Sequence, residues 1–310
     1  MADSHELTRQ RRTRLVDLSV GLVENLWRQD AREGAGPEAF SSQFQICLPY
    51  SGIFVWHVGG HDVVGDANQV LFVAGGEGYR LSDPLSRGYR ELIITPTVSV
   101  LAEIVRTSES QLVRHPLFRR RSRRTDPQLQ NLRTRFLHWA TDATRLDELA
   151  AEELVLALLR SALDGDAPRS EPAHSTRRLI RRTKEFLEAH ASSPIRLRDT
   201  ARAVGASPAY LTDVFRRVEG VPLHQYITQL RLSRALVELP HTEDLTTLAL
   251  DLGFSSHSHF AATFRRAFGC TPSQFRNATR SNYRQPVHPG ALRIARGEPA
   301  ADMSVDSFRP

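Results

Sequence analysis

The chain has 310 residues, 40% hydrophobic and 25% charged, with 41 Lys and Arg against 35 Asp and Glu and a net charge of +6. This is the composition of a soluble globular protein with room for two domains. Its two cysteines, Cys47 and Cys270, exclude a disulfide framework or a cysteine metal cluster, and its most apolar stretch, Leu149 to Leu163, is interrupted by Glu152, Glu153 and Arg160 and is too short to span a bilayer.

The N-terminus, Met1 to Glu6, lacks the apolar core of a signal peptide, so a cytoplasmic location and no membrane partner are expected. Leu15 to Trp27 predicts a short amphipathic helix. From residue 40 to 105 the pattern turns strand-like. Phe44 to Leu48, Ile53 to Val58, Val70 to Val73 and Glu91 to Ile94 are short β-rich runs punctuated by Gly, Pro, Asp and Ser, which suggests a sandwich or barrel. Val58-Gly59-Gly60-His61 predicts a tight hairpin. Helical periodicity returns over 98–163, with Leu129, Leu132, Phe136 and Leu137 on one stripe and Leu146, Leu149, Leu154 and Leu158 on another. These stripes fit either an intrachain lid or the seam of a homodimer. Phe118 to Arg124 holds five Arg in seven residues, read as an exposed loop or an additional phosphate contact. Residues 164–174 read as a flexible linker and 286–310, with four Pro, as a disordered tail.

The segment between carries an internal repeat. Ala201-x-x-x-Gly205 recurs as Ala249-x-x-x-Gly253, and Leu211-x-x-x-Phe215-Arg216-Arg217 recurs as Phe260-x-x-x-Phe264-Arg265-Arg266. A repeat of this kind is one supersecondary unit used twice. Each copy predicts a helix, a Gly turn and a second helix ending in an Arg pair, and such a unit places its second helix in the DNA major groove. The charge agrees: His174 to Arg284 holds 17 Lys and Arg against 9 Asp and Glu, or +8, and the remainder is −2. Only Lys184 is lysine; every other basic side chain is Arg.

Within unit one, Ser207 and Pro208 predict a capped helix start. Leu211, Val214, Phe215 and Val218 form its buried stripe, while Ala209, Thr212, Asp213 and Arg216 face out. Within unit two, Phe260, Phe264 and Phe268 are buried, and Ser258, Ala261, Ala262 and Arg265 face out, with Ser256 and His257 at the helix start. Arg216, Arg217, Arg265 and Arg266 suit phosphates or a guanine edge. Thr212, Ser258 and His257 can hydrogen-bond bases or phosphates, and Asp213 can accept from cytosine. Leu223 to Leu239 predicts one long connecting helix that fixes the spacing of the two readers.

These residues identify a resemblance. Arg231-Leu232-x-x-Ala235, Leu245-x-x-Leu248-Ala249-x-x-x-Gly253-Phe254, Phe260-x-x-x-Phe264-Arg265-x-x-Phe268-Gly269 and Thr271-Pro272-x-x-Phe275-Arg276 resemble the DNA-binding domain of AraC/XylS-family transcription regulators. The resemblance implies seven helices, two helix-turn-helix units and binding along one face of double-stranded DNA, with RNA polymerase as a further partner. It places base contacts at Ala209, Thr212 and Asp213 and at His257, Ser258 and Ala262. Ala209 and Ala262 are too short for hydrogen-bond readout, which leaves a thymine-methyl contact.

By their strand-rich order and the run Asp66-Ala67-Asn68-Gln69-Val70-Leu71-Phe72, residues 40–105 resemble, more loosely, the cupin-like sensor domain found ahead of such units. Metal-dependent cupins place a His-x-His where this chain has Phe40-Ser41-Ser42-Gln43 and a later His near Tyr79, so no metal, no cofactor and no catalytic residue are expected. A small effector inside the barrel is expected instead, with Tyr50, Phe54, Trp56, Phe72, Tyr79 and Arg80 as lining. The predicted fold class is α+β: a cupin-like β-barrel with flanking helices over 1–163, a linker over 164–174, an all-α double helix-turn-helix domain over 175–283, and a tail over 284–310. The function expected is that of an effector-regulated, sequence-specific transcription factor. The alternatives are a cupin-type metalloenzyme with a basic appendage and an architectural DNA-binder without effector.

Overall fold

The computed structural model describes residues 9–29, 35–112, 121–141, 147–164 and 172–281. Residues 165–171 of the expected linker and the whole expected tail lie outside the described residues, as do Phe118 to Arg120 and Leu146.

The chain opens with β1 (Arg9–Leu18) and β2 (Gly21–Gln29), an antiparallel hairpin. The helix expected over Leu15 to Trp27 is therefore replaced by strands. The spacing Leu15, Leu18, Leu22, Leu26 fits a helical stripe, but β2 pairs along its length with β9 (Tyr89–Pro96), and that pairing outweighs the local pattern. Gly21 makes the join: its φ is +149°, and a Cβ there would lie 2.6 Å from the Thr95 carbonyl oxygen. β1 forms the outer edge of its sheet, and its first six residues, four of them Arg, are exposed.

Between these lie β3 (Ala39–Ser41), β4 (Gln45–Ser51), β5 (Phe54–Val58), β6 (His61–Gly65), β7 (Gln69–Val73) and β8 (Glu77–Ser82); β10 (Ser122–Arg124) follows later. They make a six-stranded sheet, β1-β2-β9-β4-β7-β10, and a four-stranded sheet, β3-β8-β5-β6. β5 and β6 join through Gly59-Gly60 with Val58 opposite His61, the hairpin expected from sequence. Strand alternation sorts side chains to two faces. Leu26, Cys47, Leu71, Tyr89 and Ile93 of the larger sheet meet Phe54, Trp56, Val58 and Leu81 of the smaller one in a shared interior. Val23, Ile46, Leu48, Phe72, Leu92 and Ile94 face the other way.

That outer face is covered by helices. After α1 (Val98–Ile104) and α2 (Glu109–Leu112) come α3 (Pro127–Thr141) and α4 (Glu148–Leu163). Leu129, Phe136, Val155, Leu158, Leu159 and Ala162 are buried there, with Leu132, Leu137 and Leu154 packed beside them. Leu149, expected on the same stripe, is 66% exposed, so the apolar face of α4 begins one turn later. The described half of the Arg run points inward rather than to solvent. Arg121 pairs with Glu77 at 2.5 and 2.7 Å, and Arg123 donates to the Ala162 carbonyl at 2.7 Å, satisfying the end of α4.

From residue 172 to 281 the described chain is helical: α5 (His174–Ala189), α6 (Leu197–Val204), α7 (Pro208–Glu219), α8 (Leu223–Glu238), a 3-10 turn at Leu239–His241, α9 (Leu245–Asp251), α10 (His257–Phe268) and α11 (Pro272–Ser281). Those are the seven helices the resemblance implies. Two cores sit on either side of α8. Tyr226, Ile227 and Leu230 pack with Val214, Phe215, Ile180 and Leu187. Leu232, Leu236 and Leu239 pack with Leu248, Phe254, Phe260, Phe264 and Phe275. One helix is thus built into both units, which is what a connector of fixed length requires.

Candidate nucleic-acid interface

Each reading helix is delimited by its own sequence. Ser207 caps α7, its hydroxyl accepting from the Tyr210 amide at 3.3 Å, with Pro208 at the first helical position. Ser256 caps α10, accepting from the His259 amide at 3.1 Å. Gly220 and Gly269 end the two helices in the left-handed conformation, and Arg216, Arg217, Arg265 and Arg266 occupy the last turns, where the helix dipole favours cations. The buried faces are Leu211, Val214 and Phe215 in α7 and Phe260 and Phe264 in α10.

The opposite faces lie open. Ala209, Thr212, Asp213, Arg216 and Arg217 are exposed, as are Ser256, Ser258, Ala262, Arg265 and Arg266; His257 is half-buried. Thr212 donates its hydroxyl proton to its own helix, to the Ala209 carbonyl at 2.9 Å or the Pro208 carbonyl at 3.1 Å. Its oxygen lone pairs are left facing out as acceptors. The sequence suggests separate roles for Asp213 and Arg217, a base acceptor and a phosphate contact. They form an ion pair one helical turn apart, with side chains 64% and 72% exposed. Such a pair contributes little in water, so DNA phosphate can compete for the guanidinium.

Sequence reasoning missed the wall facing this helix. Leu197, Pro222, Leu223 and His224 join Thr212, Asp213 and Arg216 around a groove of about 480 Å³. The first turn of α8 was read only as part of a connector, although His224 and Gln225 fall off its apolar stripe and are exposed. Tyr210, 55% exposed at the start of α7, was also passed over.

The effector residues divide. Phe54, Trp56 and Tyr79 share the interior between the sheets, with Trp56 and Tyr79 edge to face at 5.9 Å. Phe72 lies on the other face of its sheet, stacked near Phe44 at 6.3 Å. Tyr50 donates to Asn25 at 2.8 Å and lies under the Arg133 guanidinium at 5.8 Å, and Arg80 is exposed. The six therefore do not line one site. The interior holds a group that sequence reasoning missed: Glu91, buried on the strand that also supplies Tyr89 and Ile93. Burial pushes its carboxyl up to about 7, against the opposing pull of Arg12 and Arg28. Its Oε2 and the Trp56 Nε1 have no hydrogen-bond partner among the described residues. His57 contacts Asp62 and Ser82, each at 2.8 Å. Among the described residues no cluster of three His, Cys, Asp or Glu is placed to hold a metal ion, and no helix is long and apolar enough to cross a membrane.

A family model described as a helix-turn-helix domain matches residues 200–278. The regulatory protein SoxS of Salmonella typhimurium is 38% identical over 104 residues, a match that covers 33% of this chain and 97% of SoxS. The regulatory protein PocR of the same organism is 26% identical over 147 residues, covering 45% of this chain and 48% of PocR, so the match spans about half that relative's length. Among solved structures, a transcriptional regulator from Chromobacterium violaceum, described as an AraC-type DNA-binding domain-containing protein, is 30% identical; it covers 34% of this chain and 96% of its own, with a TM-score of 0.32.

Proposed function

The chain belongs to the AraC/XylS family of transcription regulators, and from that premise we propose that it reads promoter DNA sequence-specifically with α7 and α10 under the control of a small effector. The observation that carries this reading is the matched pair of Ser-capped helices, each with an open polar face and an Arg pair in its last turn, both built onto α8. Their Arg side chains supply the sequence-independent attraction to phosphate. Thr212, Asp213, Ser258 and His257 supply the base-edge contacts, and Ala209 and Ala262 leave room for a thymine methyl.

The division of labour proposed is 1–163 as sensor, 164–174 as linker and 175–283 as DNA-binding domain, with the effector bound between the two sheets beside Phe54, Trp56 and Tyr79. RNA polymerase at the promoter and a second copy of the chain are the macromolecular partners of this reading, which places the protein in the cytoplasm. An effector controls such a switch only by binding its two states unequally.

Footprinting of DNA selected by the purified protein tests the reading. Two protected segments about one helical turn apart on one face are expected. One short segment would remove α10 from the readers, and equal affinity for all sequences would leave an architectural DNA-binder.

A further inference from the structure

We propose that the β6–β7 turn, Asp66 to Gln69, is a polar lock by which the N-terminal sheets position the first reading helix against α8. This rests on the DNA-reading role of α7 proposed above.

The turn enters a buried site between the sheets and the helices. Asp66, Asn68 and Gln69 are buried, as are Lys184 of α5 and Tyr226 of α8. The Tyr226 hydroxyl donates to the Asp66 carboxylate. The Asn68 amide donates back to the Tyr226 carbonyl at 3.0 Å, within the second turn of α8. Gln69 donates to Glu219 Oε2 at 3.0 Å, and Lys184 takes Glu219 Oε1 at 2.8 Å. Glu219 is the last residue of α7. One carboxylate therefore ties the end of the reading helix to α5 through one oxygen and to the β6–β7 turn through the other. Around it, Gln229 of α8 donates to the Thr125 carbonyl at 3.3 Å, Arg133 of α3 donates to Ser233 of α8 at 3.0 Å, and Arg181 of α5 pairs with Asp62 of β6 at 2.9 Å. All these ties end on α5, α7 or α8.

Two features make this a switchable contact rather than a permanent core. Apart from Ala67, which enters the apolar core of α5, α7 and α8, its members are polar on both sides, so water can satisfy them when the faces part. Its two carboxylates are also held unequally: Glu219 takes the direct ion pair with Lys184, whereas Asp66 feels Lys184 and Arg124 only through space and is held by hydrogen bonds. A rearrangement of the sheets that moves β7 therefore acts directly on the end of α7. The base-reading face of α7 lies on the far side and stays open while the lock is closed.

The test uses the full chain. Gln69→Glu changes no volume but sets a carboxylate against Glu219 and should open the lock. Hydrogen exchange without DNA should then rise about tenfold in 66–69 and 219–229 with 257–268 unchanged. Affinity for the half-site read by α7 should fall about fivefold or more, with the α10 half-site unaffected. The double variant Gln69→Glu with Glu219→Gln re-forms the bond between positions 69 and 219 with donor and acceptor exchanged but leaves Lys184 a neutral oxygen in place of the carboxylate, so it should recover part of both losses. Unchanged exchange, a rise in affinity at the α7 half-site, equal loss at both half-sites, or a double variant no better than the single one would overturn the proposal. The premise fails separately: a parent protein that protects no DNA removes the reading role, while the exchange experiment still reports on the lock.

Discussion

Unit one buries Lys184, Glu219 and Tyr226 behind its reading helix, whereas unit two buries Phe254, Phe260, Phe264 and Phe275 behind its own. The exposed faces are near copies; the supports are not. The phenylalanines of unit two form a continuous aromatic cluster, with Phe260–Phe264 and Phe264–Phe275 both at 5.7 Å between ring centres. The support of unit one includes Ala67 from the N-terminal sheets in its core. Two helices with one job thus differ in support: α10 rests on an aromatic cluster that also meets α3, and α7 on an apolar core supplemented by polar groups shared with the sheets.

The largest effect should come from the aromatic side. Phe264→Ala removes a fully buried ring and should cost about 3–5 kcal/mol in denaturant unfolding, abolishing protection at the α10 half-site. A loss below about 1 kcal/mol would mean the cluster is not the support of unit two. In unit one, Lys184→Met strands Glu219 in a buried site and should cost roughly 3 kcal/mol, with the damage confined by hydrogen exchange to α5, α7 and the start of α8. If the α10 region loosened equally, the contrast between the units would be false.

The turn glycines sharpen the same comparison. Gly205 and Gly253 hold matching places and both have positive φ, +71° and +85°. A Cβ on Gly205 meets nothing, so Gly205→Ala should cost only the backbone strain, about 1–2 kcal/mol. A Cβ on Gly253 would lie 2.6 Å from the Ala191 carbonyl oxygen and 2.9 Å from the Arg231 guanidinium, which adds roughly 1–3 kcal/mol. Equal melting temperatures for the two variants would contradict this.

Smaller effects concern the face itself. Asp213→Ala should relax preference at one base pair at a cost of about 1–3 kcal/mol on the cognate site, and it releases Arg217 from its ion pair. Arg217→Ala should lower the salt slope of binding by about one. A uniform loss over all sequences from Asp213→Ala would place that carboxylate outside the groove. The pH response should also distinguish the units. Burial raises the Asp66 carboxyl from 3.8 to about 6. The stability it contributes is complete below about pH 4 and is lost as pH rises through about 6. Amide protection at the start of α8 should therefore fall between about pH 4 and 6 and level off above, a response that Asp66→Asn should flatten, whereas His138, held low by burial beside Phe275, should weaken unit two as pH falls instead.

How much of this was legible depended on distance along the chain. The caps Ser207 and Ser256, the Gly stops and the Arg pairs act within a few residues, so the reading helices could be placed from sequence alone. The β1–β2 hairpin could not, because its apolar spacing fits two periods and the choice is made by β9, far along the chain. The effector residues failed for a related reason. Trp56 and Tyr50 look equivalent in a list of aromatics, and only strand register sends one into the interior and the other toward α3. Lys184 stood out as the sole lysine, yet its partner, Glu219, sits at the end of a different helix. Arg121 and Arg123 belong to a run that suggests solvent or phosphate, but a carboxylate and a helix end claim them first.

Among the described residues, the arginine-rich rim of β1 leaves the larger sheet with an unpaired ribbon of amide and carbonyl groups. Arg12 and Arg14 of that edge are matched by Glu24 and Asp17, so two molecules meeting there edge to edge would oppose the charge of Arg9 and Arg11, which discourages a continuous intermolecular sheet. Among the described residues, charge rather than a proline or a covering loop is what guards this border against fibril-like stacking.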